Sequence, residues 1–157
     1  MTACYYLDAS ALIKRYAPES GSQWIVGLTD PGADTTILLS EITLAEMAAA
    51  FAAKHRSGQS FTREQRDRAL SRFLQECDEQ LTLLQVDRYV IDLAVELTQS
   101  HRLRGYDAVQ LASGMMALRD LAAQGYSPVT FVAADEDLLA AARAAGLAVE
   151  NPMNHAE

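Results

Sequence analysis

Four acidic positions stand where an apolar run gives way to a helix signal: Asp8 after YYL, Glu46 in SEITLAE, Asp107 in LRGYDAVQLA and Asp135 in VAADEDLL. Carboxylates can cap helices, exchange protons or hold a hard cation, and each of these four has a local explanation when taken alone. Asp8 fits the N-cap of a helix starting near Ser10. Glu46 closes TLAE (43–46), the capping-box pattern in which the Glu reaches back to the Thr43 backbone. Asp107 falls at a helix N-terminus, where a negative charge is favoured. Asp135, Glu136 and Asp137 crowd one junction, where one caps the helix and another is left to face a site. Glu41 competes with Glu46 for the same edge but directly follows Ser40 and reads as a solvated loop acid.

Together they are harder to explain away. Two like charges about 5 Å apart repel by roughly 3 kcal/mol at an effective dielectric near 20. Three mutual pairs reach about 10 kcal/mol, comparable with the 5–15 kcal/mol stability of a whole domain. Such a cluster persists when protons or cations neutralise it. An oxygen-only donor set suits Mg²⁺ or Mn²⁺. His55, His101 and His155 are scattered along the chain and add no softer site.

The elements that must position these acids follow from the apolar periodicity. Strands are expected at 3–7, 35–39, 81–86 and 129–133, with a short fifth at 147–149. Helices are expected at 10–16, 20–28, 43–56, 62–79, 88–101, 106–123 and 136–145, with a break after Gly58 and a stop at Gly146. Short apolar strands alternating with helices imply an α/β fold: a central parallel sheet of four to five strands with helices on both faces. In such sheets ligands bind outside the carboxyl ends of the strands, which is where the four acids fall. One domain over 1–152 accounts for the length, with a frayed tail at 153–157.

Composition narrows the class. Thirteen Lys+Arg against twenty-one Asp+Glu give a formal net charge of −8 in 157 residues, and the pI is about 4.8. That balance argues against a protein that coats nucleic acid non-specifically, but not against a nuclease, whose carboxylates themselves lower the pI. Cys4 and Cys77 have no CxxC spacing, which disfavours a zinc knuckle or disulfide scaffold and fits a reduced cytoplasmic setting. No run approaches the ~18–20 apolar residues of a membrane span. GxGxxG, GxxxxGK[ST] and GxSxG are all absent.

The segments LDASAL (7–12), SEITLAE (40–46), LRGYDAVQLA (103–112) and DEDLLAAA (135–142), in that order and spacing, resemble the PIN-domain family, in particular VapC-type toxin ribonucleases of type II toxin–antitoxin pairs. The resemblance implies that Asp8, Glu46 and Asp107 are the core Mg²⁺ ligands. Asp135 would be a fourth, more variable acid with Asp137 as its alternative, and Ser10 a supporting polar position. It also implies an RNA substrate, products with a 5′ phosphate, a homodimer and a cognate antitoxin. A haloacid-dehalogenase-type phosphatase would need an Asp where Ser10 stands. A receiver domain would need paired acids after the first strand and a phospho-acceptor such as Asp87. A PIN-like binding module without turnover is the non-enzymatic alternative.

An acidic protein that acts on a polyanion also needs cations. Lys54, Arg56, Arg63, Arg66, Arg68 and Arg72 cluster in residues 54–72. Helical spacing aims Ala69, Leu70, Phe73, Leu74 and Cys77 at the core, with Arg66 in the middle of that face and Arg63 at its edge. Those two arginines are the expected phosphate contacts; a snorkelling stem or an ion pair is the plainer explanation.

Overall fold

Side-chain alternation along three central strands divides the apolar residues between two layers. Tyr6, Leu38 and Phe131 point to one face and Leu7, Leu39 and Val132 to the other, and each set belongs to its own buried cluster. The computed structural model, which describes residues 2–58, 61–126 and 128–156, accordingly shows a five-stranded sheet in the order β3-β2-β1-β4-β5. Every pairing is parallel. The strands are β1 (Ala3–Leu7), β2 (Thr35–Ser40), β3 (Thr82–Leu84), β4 (Val129–Val132) and β5 (Ala148–Glu150). Helices α1 (Ala9–Tyr16), α2 (Ser22–Leu28), α3 (Ile42–Arg56) and α4 (Arg63–Glu79) follow the first two strands. Helices α5 (Arg88–Ser100), α6 (Gly105–Ala123) and α7 (Glu136–Ala144) follow β3 and β4.

The α1–α4 layer buries Leu12, Ile25, Met47, Phe51 and Phe73 against Leu7 and Leu39. The α5–α7 layer buries Val90, Leu97, Leu111 and Leu138 against Tyr6 and Phe131. Tyr6 and Phe131 stack across β1 and β4 with centroids 5.1 Å apart. Helix α6 lies so close to them that a Cβ on Gly114 would stand 2.8 Å from the Phe131 ring. Only glycine fits there, and this contact fixes how deep α6 sits on β1 and β4.

Three sequence expectations change: the end of β3, the role of Glu41 and the stretch from Met153. β3 ends at Leu84 rather than 86, because the Glu41 N–H donates to the Leu84 carbonyl and the Glu41 carboxylate accepts from the Val86 N–H, 2.9 Å away. Glu41 is exposed, as expected of a solvated loop acid, but it also latches β2 to β3 and stands at the N-cap of α3. The stretch from Met153, expected to fray, forms a 3-10 turn over Pro152–His155. Its His155 stacks on Trp24 at 4.2 Å and bonds the Glu150 carboxylate at 2.9 Å. Gly21 makes room for the turn with φ +88, since a Cβ there would meet the Pro152 carbonyl at 2.7 Å. Met1 and Glu157, the outer limits of the expected domain and tail, lie outside the described residues, as do Gln59 and Ser60 after the Gly58 break. Among the described residues no helix is long and apolar enough to cross a membrane.

Candidate active site

β1 delivers Asp8 to the carboxyl edge of the sheet, where the Asp8 N–H donates to the Val132 carbonyl of β4. Its side chain caps α1, as the sequence allows: Oδ1 accepts from the Ala11 N–H at 3.0 Å and from the Ser10 hydroxyl at 2.7 Å. Ser10 in turn accepts from the Ala134 N–H at 2.9 Å, so one hydroxyl ties the β1–α1 junction to the β4–α7 junction. Asp8 is only 6% exposed. Burial pushes its carboxyl up to about 7, outweighing the two hydrogen bonds that favour the anion. The charges of Glu46 and Asp107 push the same way.

Glu46 stands on the second turn of α3, half-buried. It does not reach back to Thr43; the capping-box explanation fails because Gln110 of α6 takes its carboxylate, with Nε2 donating to Oε1 at 2.6 Å. The same Nε2 donates to the Thr43 hydroxyl at 3.0 Å, and Gln110 Oε1 accepts from the buried Tyr6 hydroxyl at 2.6 Å. With the phenol proton directed at the amide oxygen, the amide nitrogen must face Glu46. Burial, then the Asp107 charge, raises the Glu46 carboxyl, while the Gln110 hydrogen bond and the more distant Arg104 pull it down. The capping box that does form in this layer belongs to α4, between Thr62 and Gln65.

Asp107 lies in the first turn of α6 and accepts from Arg104 Nε at 3.3 Å. Asp135 caps α7, with Oδ1 accepting from the N–H groups of Asp137 and Leu138 at 2.9 and 3.2 Å. Asp107, Asp135 and Asp137 line one groove of about 490 Å³, whose other wall is Thr98, His101, Arg102, Leu103 and Arg104. The charges of Glu46 and Asp107 reach Asp8, and that of Asp107 reaches Glu46, each raising the proton affinity of the carboxyl it faces. The strand-end acids singled out from sequence thus share one edge. Asp87, the acid that a phospho-acceptor would require, caps α5 through the Val90 N–H instead.

This is a hard-oxygen donor set with an unbalanced negative charge, the chemistry that suits a divalent cation of the Mg²⁺ class. Among the described residues, no three His, Cys, Asp or Glu side chains converge tightly enough to hold an ion as they stand. Each carboxylate is instead engaged by a protein donor: Asp8 by Ser10, Glu46 by Gln110, Asp107 by Arg104, and Asp135 by its own cap.

Arg63 and Arg66 are not brought to these acids. The buried face of α4 runs through Ala69, Phe73, Glu76 and Cys77, because Glu76 pairs with Arg15 at 2.8 Å and is drawn inward. Leu74 is 41% exposed, and Arg66, half-buried, pairs with Asp67 at 2.9 Å, the ion pair that was the plainer explanation for it. Gln65, between the two arginines, shares a groove with Pro18 and Lys54 at the far ends of α1 and α3. Lys54 is about 12 Å along α3 from Glu46 at the helical rise per residue. Two features escaped the sequence reading. Gln110 is one helical turn from Asp107 and is polar within an apolar stretch, which is a usable signal. Arg102 and Arg104 were overlooked beside the larger cation cluster at 54–72.

Comparison with known proteins places these elements in context. The family model described as PIN domain matches residues 5–144. Among solved structures, PAE2754 from Pyrobaculum aerophilum superposes with a TM-score of 0.60 at 19% identity, covering 99% of this chain and 93% of that one. A toxin–antitoxin complex from Klebsiella pneumoniae gives 0.61 at 16% identity, covering 96% and 98%. VapBC2 from Rickettsia felis, bound to a DNA fragment from its promoter, gives 0.57 at 21% identity, covering 94% and 98%. A search of curated protein sequences finds no match.

Proposed function

The chain belongs to the PIN-domain family, and from that premise we propose that it is a metal-dependent endoribonuclease, the toxin of a toxin–antitoxin pair. The observation that supports this reading is the placement of Asp8, Glu46 and Asp107 at one carboxyl edge of the sheet, where the charges of Glu46 and Asp107 act on Asp8 and that of Asp107 on Glu46. A folded protein keeps three such carboxylates together when a cation is their working partner. Asp8, Glu46 and Asp107 would hold Mg²⁺ or Mn²⁺, with Asp135, or Asp137 beside it, as the fourth acid. A bound divalent ion supplies a water of lowered pKa and stabilises the leaving oxygen of a phosphodiester.

The chain's own residues then have defined tasks. Ser10 keeps Asp8 in register with the β4–α7 junction. Gln110 holds one oxygen of Glu46 and leaves the other free, and because the amide is neutral it does so without cancelling the charge a cation needs. Arg104 partners Asp107 until a cation or a phosphate replaces one of them. The toxin assignment is supported by structural likeness to toxin–antitoxin proteins, and it brings with it a cognate antitoxin, a homodimer and a cytoplasmic location.

A second reading, a PIN-fold binding module without turnover, draws on the fact that every carboxylate already has a protein partner. One assay separates the two. The enzyme reading expects Mg²⁺-dependent RNA cleavage that Asp8→Asn, Glu46→Gln and Asp107→Asn each abolish with the fold retained. RNA binding with no cleavage in Mg²⁺ or Mn²⁺ would give the protein to the binding-module reading.

A further inference from the structure

The acid groove has a second wall that the metal chemistry leaves unused. Of the thirteen Lys and Arg residues, Lys14, Arg15, Lys54, Arg66, Arg72, Arg88, Arg104 and Arg119 each pair with a carboxylate. Among the described residues Arg56, Arg63, Arg68, Arg102 and Arg143 do not, and of these Arg102 alone lines the groove with Asp107, Asp135 and Asp137. Arg104, on the same wall, is 86% exposed, and its bond to Asp107 is 3.3 Å. That is long for a charge-assisted contact, which typically measures about 2.7–2.9 Å. Leu103 between them packs into the α5–α7 core, and its N–H closes a tight bend onto the His101 carbonyl at 2.9 Å. Anchoring the middle residue turns both neighbouring guanidiniums outward. Two residues on, Tyr106, which precedes Asp107 in the first turn of α6, has 68% of its surface exposed, a large aromatic side chain that this chain leaves mostly uncovered.

We propose that residues 101–106, HRLRGY, form a platform for single-stranded RNA, with Arg102 and Arg104 on backbone phosphates and Tyr106 stacked on a base. The proposal rests on the nuclease reading above and names how that site takes its substrate. Exposed guanidiniums beside an exposed aromatic match a flexible strand, whose unpaired bases offer a free π-face to the ring. A duplex hides those faces. The groove itself carries three carboxylates against two guanidiniums, so strand binding strengthens when a divalent cation offsets the acids.

The test uses the full wild-type chain as parent, with Ca²⁺ in place of Mg²⁺ to prevent cleavage, a short labelled single-stranded RNA and the same sequence as a duplex. Affinity is read by fluorescence anisotropy across a salt series. Tyr106→Ala is expected to weaken single-strand binding by about tenfold. Arg102→Gln is expected to flatten the slope of log K against log salt by about 0.7. Arg63→Gln changes neither quantity, and the parent prefers the single strand. The platform is overturned if Tyr106→Ala and Arg102→Gln both stay within twofold of the parent, or if duplex binds equally well. It also falls if Tyr106→Ala alters the oligomeric mass rather than RNA affinity, which would make that face a protein contact. Mg²⁺-dependent cleavage at the wild-type rate by the chain carrying both Tyr106→Ala and Arg102→Gln would discard the platform and leave the nuclease reading standing. A parent that neither binds nor cleaves RNA would discard both.

Discussion

Replacing Asp8 by Asn removes one charge and keeps the shape, so it tests directly whether that charge is a strain on the metal-free fold. The Asp8 carboxyl is pushed from an ordinary value of 3.8 up to about 7. At about 1.36 kcal/mol per pH unit, a rise of about three corresponds to about 4 kcal/mol. The sign follows from a folded pKa raised above the unfolded one. The contribution is fully present below about pH 4 and is lost as pH rises through about 7, because the folded protein must then bury the anion. Asn cannot ionise, yet its side-chain oxygen still accepts from Ser10 and Ala11. In EDTA, Asp8→Asn is therefore expected to match the wild type near pH 4 and to exceed it by up to about 4 kcal/mol at pH 8. For a domain of this size that is on the order of 10 °C in melting temperature. Urea unfolding of both proteins from pH 4 to 8 reads the difference and cancels groups of opposite sign, such as Glu19, whose carboxyl Lys14 and Lys54 hold low. Mg²⁺ should restore the wild type near pH 7, do little near pH 5 where protons compete, and do nothing for Asp8→Asn. Parallel stability curves for the two proteins would refute the reasoning.

Gln110→Met removes the donor that holds Glu46 while keeping the volume; Mn²⁺ affinity should fall about tenfold, as for other groups that orient metal ligands, measured by calorimetric titration. Gly114→Ala forces a methyl against the Phe131 ring and should cost about 1–3 kcal/mol in urea unfolding, with cleavage per folded molecule unchanged. Glu41→Gln should be nearly silent in cleavage, since Gln can still accept from the Val86 N–H; if it abolishes activity while Glu46→Gln does not, the acid after β2 is misassigned.

Much of this arrangement was legible in the residue order because it depends on short-range pattern. Apolar runs ending in an acid located β1 with Asp8 and β4 with Asp135, and the strict period of two in YYL, ILL and FVA determined which face each side chain joins. Parallel strands then carried the acids to one edge without any knowledge of loop geometry. What escaped depends on contacts between elements distant in sequence. Glu46 looked like a capping-box residue until Gln110, 64 positions on, took its carboxylate. On α4 the pattern within 62–79 placed Ala69, Phe73 and Cys77 in the core and Arg66 half-buried beside them, but the inward turn of Glu76 depends on Arg15, 61 positions away. The 3-10 turn at Pro152 depends on Trp24 and Gly21, and nothing within MNHAE announces a ring that stacks on His155.

Whether the clustered carboxylates hold a divalent cation for RNA hydrolysis is tested most directly by a single Mn²⁺ titration followed both by electron paramagnetic resonance and by cleavage of a single-stranded RNA. Binding and cleavage should rise with one midpoint in the wild type, leaving products with a 5′ phosphate, and both should vanish in Asp8→Asn, Glu46→Gln and Asp107→Asn. Cleavage that persists in EDTA, or that survives in a variant that no longer binds Mn²⁺, would contradict the account.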